Sequence, residues 1–242
     1  MRTYLLNKAN SRFASFFGVA LVVIFTRMIN TGDDKPPYSY LALGDSYTIG
    51  ESVPAAENYP NRSVSLLKEQ GVDIVAPKII AQTGWTTTDL QDAINSEKTA
   101  KKYDFVTLLI GVNNQYRNME TAVFVADFEN LLRQALRFAG NNTRRVVVFS
   151  IPDWSVTPYA KNYLPDKFGR DAAAVSKQID EYNAACKLIS GKYKVEFVDI
   201  TPGTREAATT TDLLAGDGLH PSGKEYAKWA EKLSSIMKNQ LK

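Results

Sequence analysis

The chain has 242 residues, of which 44% are hydrophobic and 23% charged, a composition that excludes a disordered or collagen-like protein. This length accommodates one ordinary domain with a short appendage. The first 35 residues hold five of the 29 basic and two of the 26 acidic residues, which leaves 24 of each sign in the remainder. A main domain without net charge or basic runs is not expected to bind nucleic acid.

The N-terminal segment differs from the rest of the chain. Three basic residues within the first 12 positions precede an apolar run over residues 13–25, and a polar linker over residues 30–37 follows. This order is typical of a secretory signal segment, although no small-x-small cleavage site follows the run. We therefore expect residues 1–37 to be a signal or anchor segment of an extracytoplasmic (periplasmic or secreted) protein. The segment is either removed or kept as a membrane attachment through residues 13–29, and a buried core helix is the alternative.

After Pro37 the hydrophobic pattern alternates between buried strands and amphipathic helices, which predicts a parallel sheet covered on both faces. In chain order, the predicted elements are a strand at 40–43, a helix at 59–70, a strand at 73–81, a helix from 88 toward 102, a strand at 105–110, a helix at 120–138, a strand at 145–151, a helix at 171–190, a strand at 194–200 and a helix after 222. Capping-box patterns, Thr88-x-x-Gln91 and Ser222-x-x-Glu225, predict where two of these helices begin. The only cysteine, Cys186, excludes an intrachain disulfide and is expected to be a small buried thiol.

Chemically useful residues follow each predicted strand. Because the carboxyl ends of parallel strands meet at one edge of a sheet, we expect these residues to lie close together. The groups in question are Gly44-Asp45-Ser46, Gly84, Gly111-Val112-Asn113, the loop 152–170 and Asp217-x-x-His220.

A serine hydroxyl needs a base within hydrogen-bond reach to act as a nucleophile, and His220 is the only histidine in the chain. Gly218 and Pro221 place His220 in a tight loop with Asp217, whose carboxylate can hold the imidazole Nδ1–H and leave Nε2 free for the Ser46 proton. In the structural alternatives, the lone histidine is an inert core residue and Asp217 only caps backbone amides of the turn. We predict that Ser46, Asp217 and His220 are catalytic.

An oxyanion formed on attack by serine needs hydrogen-bond donors that are already in place. The predicted donors are the backbone N–H of Ser46, the backbone N–H of Gly84 and the side-chain amide of Asn113. Each of these residue types is common in loops, so their coincidence at successive strand ends carries the prediction.

The blocks Gly44-Asp45-Ser46, Gly84, Gly111-x-Asn113 and Asp217-x-x-His220 resemble the four sequence blocks of the GDSL, or SGNH, hydrolase family. The resemblance extends over nearly all of residues 38–240. It implies a hydrolase domain over residues 38–242 with a flavodoxin-like α/β fold, a three-layer α/β/α sandwich around a five-stranded parallel sheet. The pattern does not match the Gly-x-Ser-x-Gly element of the other large serine esterase fold.

Carried over position by position, the resemblance makes Ser46 the nucleophile, His220 the base and Asp217 the group that orients it. Gly84 and Asn113 complete the oxyanion hole. The family uses no metal and no organic cofactor, so none is expected here. One position departs from the pattern, because Asn114 stands where the third block usually has aspartate.

The loop after the fourth strand contains the aromatic residues Trp154, Tyr159, Tyr163 and Phe168. The first three are candidates for the substrate pocket, where they would line an acyl channel or stack on sugar rings; a loop that packs on itself is the alternative. We expect a carboxylic ester hydrolase of the acyl-esterase or lysophospholipase type that works through an acyl-enzyme intermediate. The alternatives are an O-acetyl esterase acting on carbohydrate and a non-catalytic, membrane-tethered carbohydrate-binding module. Expected partners are small-molecule, lipid or glycan esters.

Overall fold

A sheet of five parallel strands lies at the centre of the computed structural model, which describes residues 35–97, 102–164 and 169–241. The strands are β1 (Tyr40–Asp45), β2 (Lys78–Gln82), β3 (Phe105–Leu109), β4 (Val146–Phe149) and β5 (Glu196–Val198). Their order across the sheet is β2-β1-β3-β4-β5. All residues of β1, β3 and β4 are buried, as expected for parallel strands covered on both faces.

Helices cover both faces of this sheet, so the predicted three-layer α/β/α sandwich is confirmed. The helices are α1 (Ser46–Ile49), α2 (Tyr59–Glu69), α3 (Thr87–Ser96), α4 (Val112–Tyr116), α5 (Thr121–Phe138), α6 (Pro158–Tyr163), α7 (Ala172–Lys192), α8 (Thr201–Arg205) and α9 (Gly223–Leu241). α2 packs against α9, whereas α5 packs against both α3 and α7.

Buried aromatic rings connect the helices to the sheet. The ring of Tyr59 in α2 lies 4.9 Å from that of Phe149 in β4 and 6.1 Å from that of Trp229 in α9. In the other layer, Phe124 of α5 stacks on Tyr182 of α7 with ring centroids 4.3 Å apart. Burial of each such side chain stabilises the fold by about 3 kcal/mol. These contacts therefore fix both helical layers on the strands that carry the loop residues discussed below.

Four strands are shorter than predicted, and β3 is so by only one residue, since it ends at Leu109. β2 begins at Lys78, beyond Pro77, and only an isolated bridge between Tyr38 and Ile74 extends the pairing toward residue 73. β4 comprises Val146–Phe149 of the predicted 145–151. β5 begins at Glu196 because Lys194 has a φ of +56°, which turns the backbone out of the extended conformation.

The capping box predicted at Thr88 and Gln91 is wrong, since the N-cap of α3 lies two residues earlier. Thr86 is the N-cap, its hydroxyl accepts a hydrogen bond from the backbone N–H of Asp89, and the Asp89 carboxylate accepts one from the backbone N–H of Thr86. This reciprocal pair satisfies two N–H groups that the first helical turn leaves open. The helix ends at Ser96, and the remainder of its predicted range, residues 98–101, lies outside the described residues.

The last helix begins where the sequence predicts, but the capping box predicted there is also wrong. The backbone N–H of Ser222 donates to the carbonyl oxygen of Leu213 at 2.8 Å, so it is not available to Glu225. The Glu225 carboxylate instead accepts a hydrogen bond from the indole N–H of Trp229 at 2.9 Å. The start of α9 is thus fixed by pairing with the preceding segment.

The predicted signal or anchor segment falls almost entirely on residues 1–34, which lie outside the described residues. Among the helices of the described ranges, none is long and apolar enough to cross a membrane. Cys186 is a buried free thiol in α7, as predicted.

Candidate active site

The sheet topology brings three sequence-predicted groups to one edge. The strand order changes direction between β1 and β3, and in open parallel sheets such a switch point opens a crevice at the carboxyl ends of the strands. Ser46 directly follows β1, Asn113 lies four residues beyond the end of β3, and Gly84 lies two residues beyond the end of β2. All three line the same cleft.

Ser46, His220 and Asp217 form a continuous chain of hydrogen-bond distances. The Oγ atom of Ser46 lies 3.0 Å from Nε2 of His220, and Nδ1 of His220 lies 2.6 Å from Oδ2 of Asp217. Ser46 is 4% exposed and His220 7% exposed, so water has little access to the pair. The histidine is therefore not an isolated core residue, and all three predicted catalytic residues are in contact.

The Asp217 carboxylate accepts four hydrogen bonds, two on each oxygen. Oδ1 accepts from the backbone N–H groups of Leu219 and His220, and Oδ2 accepts from the His220 ring and the Ser52 hydroxyl. Burial by itself would raise the pKa of Asp217, but these four bonds outweigh it and lower the pKa to about 2. Asp217 thus caps the turn and contacts the imidazole at the same time.

The segment that carries Ser46 is fixed by a buried carboxylate. Asp45 is the N-cap of α1, and its Oδ1 accepts a hydrogen bond from the backbone N–H of Tyr47 at 3.0 Å. Burial raises the pKa of Asp45 to about 7. As the first residue of α1, Ser46 has a backbone N–H that no carbonyl of the helix accepts. The Tyr47 ring packs against the imidazole of His220, with centroids 4.9 Å apart.

Two hydrogen bonds from the α4 region fix the loop that contains Gly84. The Nδ2 atom of Asn113 donates to the carbonyl oxygen of Trp85 at 3.0 Å, and the guanidinium of Arg117 donates to the carbonyl oxygen of Gly84 at 2.6 Å. Gly84 has a φ of +81°, a left-handed conformation that favours glycine. The amide nitrogen of Asn113 has a second hydrogen, which remains available for a ligand in the cleft.

Asn113 depends on a tight turn at the start of α4. Gly111 is the N-cap of this helix with a φ of +129°, and a Cβ atom at this position would lie 2.5 Å from the ring of Phe124. Only glycine fits both constraints, so the turn after β3 can present Asn113 to the cleft without displacing α5.

Asn114, the one departure from the family pattern, is fully buried and connects α4 to α3. Its Oδ1 accepts a hydrogen bond from the backbone N–H of Thr87 at 3.0 Å, and its Nδ2 donates to the Thr87 hydroxyl at 2.8 Å. An amide provides both the acceptor and the donor for this pair of contacts. Asparagine at position 114 therefore fixes α4, and with it the neighbouring Asn113, against the start of α3.

The cleft above Ser46 has a volume of about 120 Å³. Tyr116, Trp154 and Tyr159 form an aromatic part of its wall. The hydroxyls of Tyr116 and Tyr159 are 3.0 Å apart, and the indole N–H of Trp154 donates to Gln115 Oε1 at 2.8 Å. An ion pair of 2.8 Å between the buried Asp153, which precedes Trp154, and the partly exposed Arg205 holds the loop that carries Trp154.

Of the four aromatic residues in the loop after the fourth strand, Trp154 and Tyr159 line the cleft as predicted. Tyr163 does not belong to the described lining; it packs against Tyr159 with ring centroids 4.5 Å apart and is 42% exposed. Tyr163 thus contacts a residue of the cleft wall, and its role in the substrate pocket stays a prediction. Phe168 lies outside the described residues.

Sequence reasoning missed Tyr116, Arg117 and Ser52. Tyr116 follows Asn113 by three residues, a spacing that places both on one face of a helix, so recognition of the short helix α4 would have identified it. Arg117 and Ser52 act through single hydrogen bonds to distant loops, and nothing in a single sequence indicates such contacts.

Within residues 35–97, 102–164 and 169–241, no group of three or more His, Cys, Asp or Glu side chains is arranged to hold a metal ion. That the enzyme works without a metal or an organic cofactor stays a prediction.

Comparison with known proteins identifies the family. Residues 42–228 match the model of the GDSL-like Lipase/Acylhydrolase family. An acetylxylan esterase of Geobacillus stearothermophilus is 26% identical over 203 residues, which is 75% of this chain and 85% of that enzyme.

Two solved structures share the fold. A lipase/acylhydrolase from Enterococcus faecalis has a TM-score of 0.62 at 20% identity and covers 84% of this chain and 96% of its own. The psychrotrophic esterase EstA from Pseudoalteromonas sp. has a TM-score of 0.61 at 14% identity and covers 84% of this chain and 98% of its own. The chain therefore belongs to the GDSL-like lipase/acylhydrolase family and is a carboxylic ester hydrolase.

Proposed function

We propose that the protein hydrolyses esters through an acyl-enzyme intermediate on Ser46. The observation that carries this proposal is the chain of contacts from Ser46 Oγ to His220 Nε2 at 3.0 Å and from His220 Nδ1 to Asp217 Oδ2 at 2.6 Å. With its Nδ1–H held by the charged carboxylate, the imidazole presents Nε2 as the proton acceptor. The arrangement supports activation of the serine hydroxyl near neutral pH.

Each proton transfer then passes through His220. As Ser46 Oγ attacks the ester carbonyl carbon, Nε2 takes the hydroxyl proton, and collapse of the tetrahedral intermediate returns this proton to the leaving alkoxide as an alcohol. A water molecule then attacks the acyl-enzyme and gives one proton to Nε2. The second collapse breaks the bond between carbonyl carbon and Ser46 Oγ, which recovers the proton, and releases the carboxylic acid.

The negative charge on the carbonyl oxygen in each intermediate needs preorganised donors. We assign this role to the backbone N–H groups of Ser46 and Gly84 and to the second Nδ2 hydrogen of Asn113. The contacts of Asn113 with Trp85 and of Arg117 with Gly84 support the assignment, because they fix two of the three donors before substrate binds.

We further propose a short acyl group, acetyl above all, on a carbohydrate. The cleft volume of about 120 Å³ lies below the roughly 300 Å³ at which pockets begin to enclose drug-sized ligands. The adjoining cavity behind Tyr47, Trp154 and Leu219 measures about 10 Å³, enough for about one water molecule and too small for an alkyl chain. An aromatic wall suits the apolar face of a sugar ring, and the similar Geobacillus enzyme is an acetylxylan esterase.

A panel of four substrates tests both proposals: p-nitrophenyl acetate, p-nitrophenyl palmitate, an acetylated xylo-oligosaccharide and a lysophosphatidylcholine. We expect kcat/KM to be highest for the acetyl esters. Ser46→Ala should reduce every rate at least about a thousandfold, whereas Ser65→Ala, which changes an exposed serine of α2, should not. Higher kcat/KM on the two long-chain substrates would replace the acetyl proposal by the lysophospholipase type, and an active Ser46→Ala enzyme would refute the mechanism.

We also propose that the domain acts outside the cytoplasm. The support is the order of charge and hydropathy in residues 1–37, with basic residues before an apolar run and a polar linker after it. A reporter enzyme fused after residue 37 should be active only outside the cytoplasm. Reporter activity confined to the cytosol would exclude the proposal.

A further inference from the structure

Ser52 holds an unusual backbone conformation beside the catalytic acid. It lies in the exposed turn after α1 with a φ of +65°, in the left-handed region that favours glycine and asparagine. For a residue with a Cβ atom this conformation costs about 1 kcal/mol. A strained conformation of this kind persists only where surrounding contacts hold it, and such residues cluster at functional sites. The contacts of the Ser52 side chain are therefore relevant to the site.

The hydroxyl of Ser52 donates a hydrogen bond of 2.8 Å to Oδ2 of Asp217, the same oxygen that lies 2.6 Å from Nδ1 of His220. The other oxygen is occupied by the backbone N–H groups of Leu219 and His220. Ser52 therefore fills the last acceptor position of the carboxylate. It does so from a segment 165 residues away in the chain, directly after the helix that carries the nucleophile.

The turn that presents Ser52 is itself held from the other side. The carboxylate of Glu51 accepts a hydrogen bond from the hydroxyl of Thr83, the residue before Gly84. Two consecutive residues of one turn thus contact the catalytic acid and the loop with an oxyanion donor. These two contacts fix the position of the Ser52 hydroxyl relative to Asp217 and to the loop that contains Gly84.

We propose that Ser52 is a positioning residue that orients the Asp217 carboxylate toward His220 and limits its basicity. The inference rests on the proposed serine mechanism and adds a fourth member to its hydrogen-bond chain. A hydroxyl that donates to a carboxylate favours the charged, less basic form. Without this donor, Asp217 keeps its two backbone hydrogen bonds through Oδ1 but loses one of the two contacts that fix Oδ2, and its greater basicity stabilises the protonated form of His220.

Two other titratable side chains act electrostatically on Asp217, namely Tyr47 of α1 and Tyr226 of α9. Burial raises the pKa of both tyrosines well above the ordinary value, so both stay neutral across the range of an activity assay. Asp45, whose pKa burial raises to about 7, also titrates in this range, so the role of Ser52 is judged from the shift of the acid limb between each variant and wild type.

Three substitutions separate positioning from a structural role. Ser52→Ala and Ser52→Gly both remove the hydroxyl, whereas Ser52→Thr keeps it on a β-branched side chain that fits a positive φ poorly. With p-nitrophenyl acetate we expect Ala and Gly to lower kcat/KM about tenfold, because a hydrogen bond to a charged group is lost. Both should move the acid limb upward by about half a pH unit, and Thr should keep the wild-type limb.

Thermal unfolding should order the variants differently. Gly relaxes the strained φ and should unfold at a higher temperature than Ala, and Thr should unfold below wild type. The inference would be overturned if Ser52→Ala and Ser52→Gly both kept the wild-type kcat/KM and pH profile. It would also be overturned if kcat/KM of the three variants ranked in the same order as their unfolding temperatures. Ser46→Ala in the same assay separates the two proposals: if it is inactive while the Ser52 variants behave as wild type, only the positioning role fails.

Discussion

Asp217→Asn is expected to remove nearly all activity while leaving the fold almost unchanged. Oδ1 of Asp217 accepts hydrogen bonds from the backbone N–H groups of Leu219 and His220 at 2.9 and 3.0 Å. An asparagine must keep its carbonyl oxygen there, because its NH₂ group would otherwise face two donors. Its Nδ2 then replaces Oδ2, beside the ring of His220.

An Nδ2 donor at this point forces Nδ1 of His220 to accept. The ring proton moves to Nε2, which then donates toward Ser46 and no longer takes its proton. Loss of the reactive tautomer is expected to lower kcat about ten-thousandfold, or about 5.5 kcal/mol in the barrier. The Ser52 hydroxyl can rotate to accept from the new amide, so this contact costs little stability.

Steady-state hydrolysis of p-nitrophenyl acetate and urea unfolding of the same samples provide the test. Asp217→Ala serves as a comparison: it leaves two buried N–H groups without their acceptor and should lose about 2 kcal/mol of unfolding free energy in addition to activity. Asp212→Asn removes the same charge from an exposed ion pair with Lys224 and should stay within twofold of wild type, since surface ion pairs contribute little. An Asp217→Asn enzyme with more than a tenth of wild-type kcat would refute the tautomer argument.

Three further outcomes are expected. Burial raises the pKa of Asp45 to about 7 in the folded protein. The contribution of protonated Asp45 to the free energy of unfolding is therefore fully present below the pKa of the unfolded chain and is lost as pH rises through the folded-state pKa. Between pH 5 and pH 8 the unfolding free energy of Asp45→Asn, measured in urea, should rise by about 2.5 kcal/mol relative to that of wild type, and parallel pH curves for the two proteins would contradict this expectation. Asn113→Ala should lower kcat about a hundredfold with little change in KM, so an effect confined to KM would remove Asn113 from the oxyanion hole. Gly84→Ala meets no atom closer than 3.8 Å but must adopt a φ of +81°; it should cost about 1 kcal/mol in thermal unfolding, and unchanged thermal stability would contradict this strain argument. Because alanine keeps the backbone N–H, a wild-type kcat would agree with the donor role of position 84.

The layout of the fold was predictable because buried parallel strands read as continuous apolar runs and their carboxyl ends meet at one edge. The sequence alone therefore predicts that Ser46, Asn113 and His220 lie together. The boundaries were less predictable, since a single residue changes them: Lys194 adopts a positive φ that shortens β5, and Thr86 competes with Thr88 for the N-cap of α3. Local patterns do not contain the tertiary contacts that settle such choices.

The contacts that refine the site were not predictable for the same reason. Tyr163 was expected in the pocket because it is aromatic and follows the fourth strand, yet it packs against Tyr159 instead of lining the cleft. Ser52 and Arg117 contribute one hydrogen bond each across 165 and 33 residues of chain, and no periodicity or motif encodes a partner at that separation.

The packing of α2 against α9 has a consequence for the chemistry at the other end of these helices. Ser46 lies 13 residues before the start of α2 and His220 three residues before α9, so the two reactive side chains, 174 residues apart in the chain, both precede a helix of the same packed pair. The Ser63 hydroxyl, 3.4 Å from the carbonyl oxygen of Ala230, allows the close approach of these helices. Since a displacement of about 1 Å can cost a hundredfold in rate, we expect a change in the spacing of these two helices to alter the distance between nucleophile and base. Substitutions there should appear as catalytic defects although Ser63 and Ala230 lie outside the lining of the cleft.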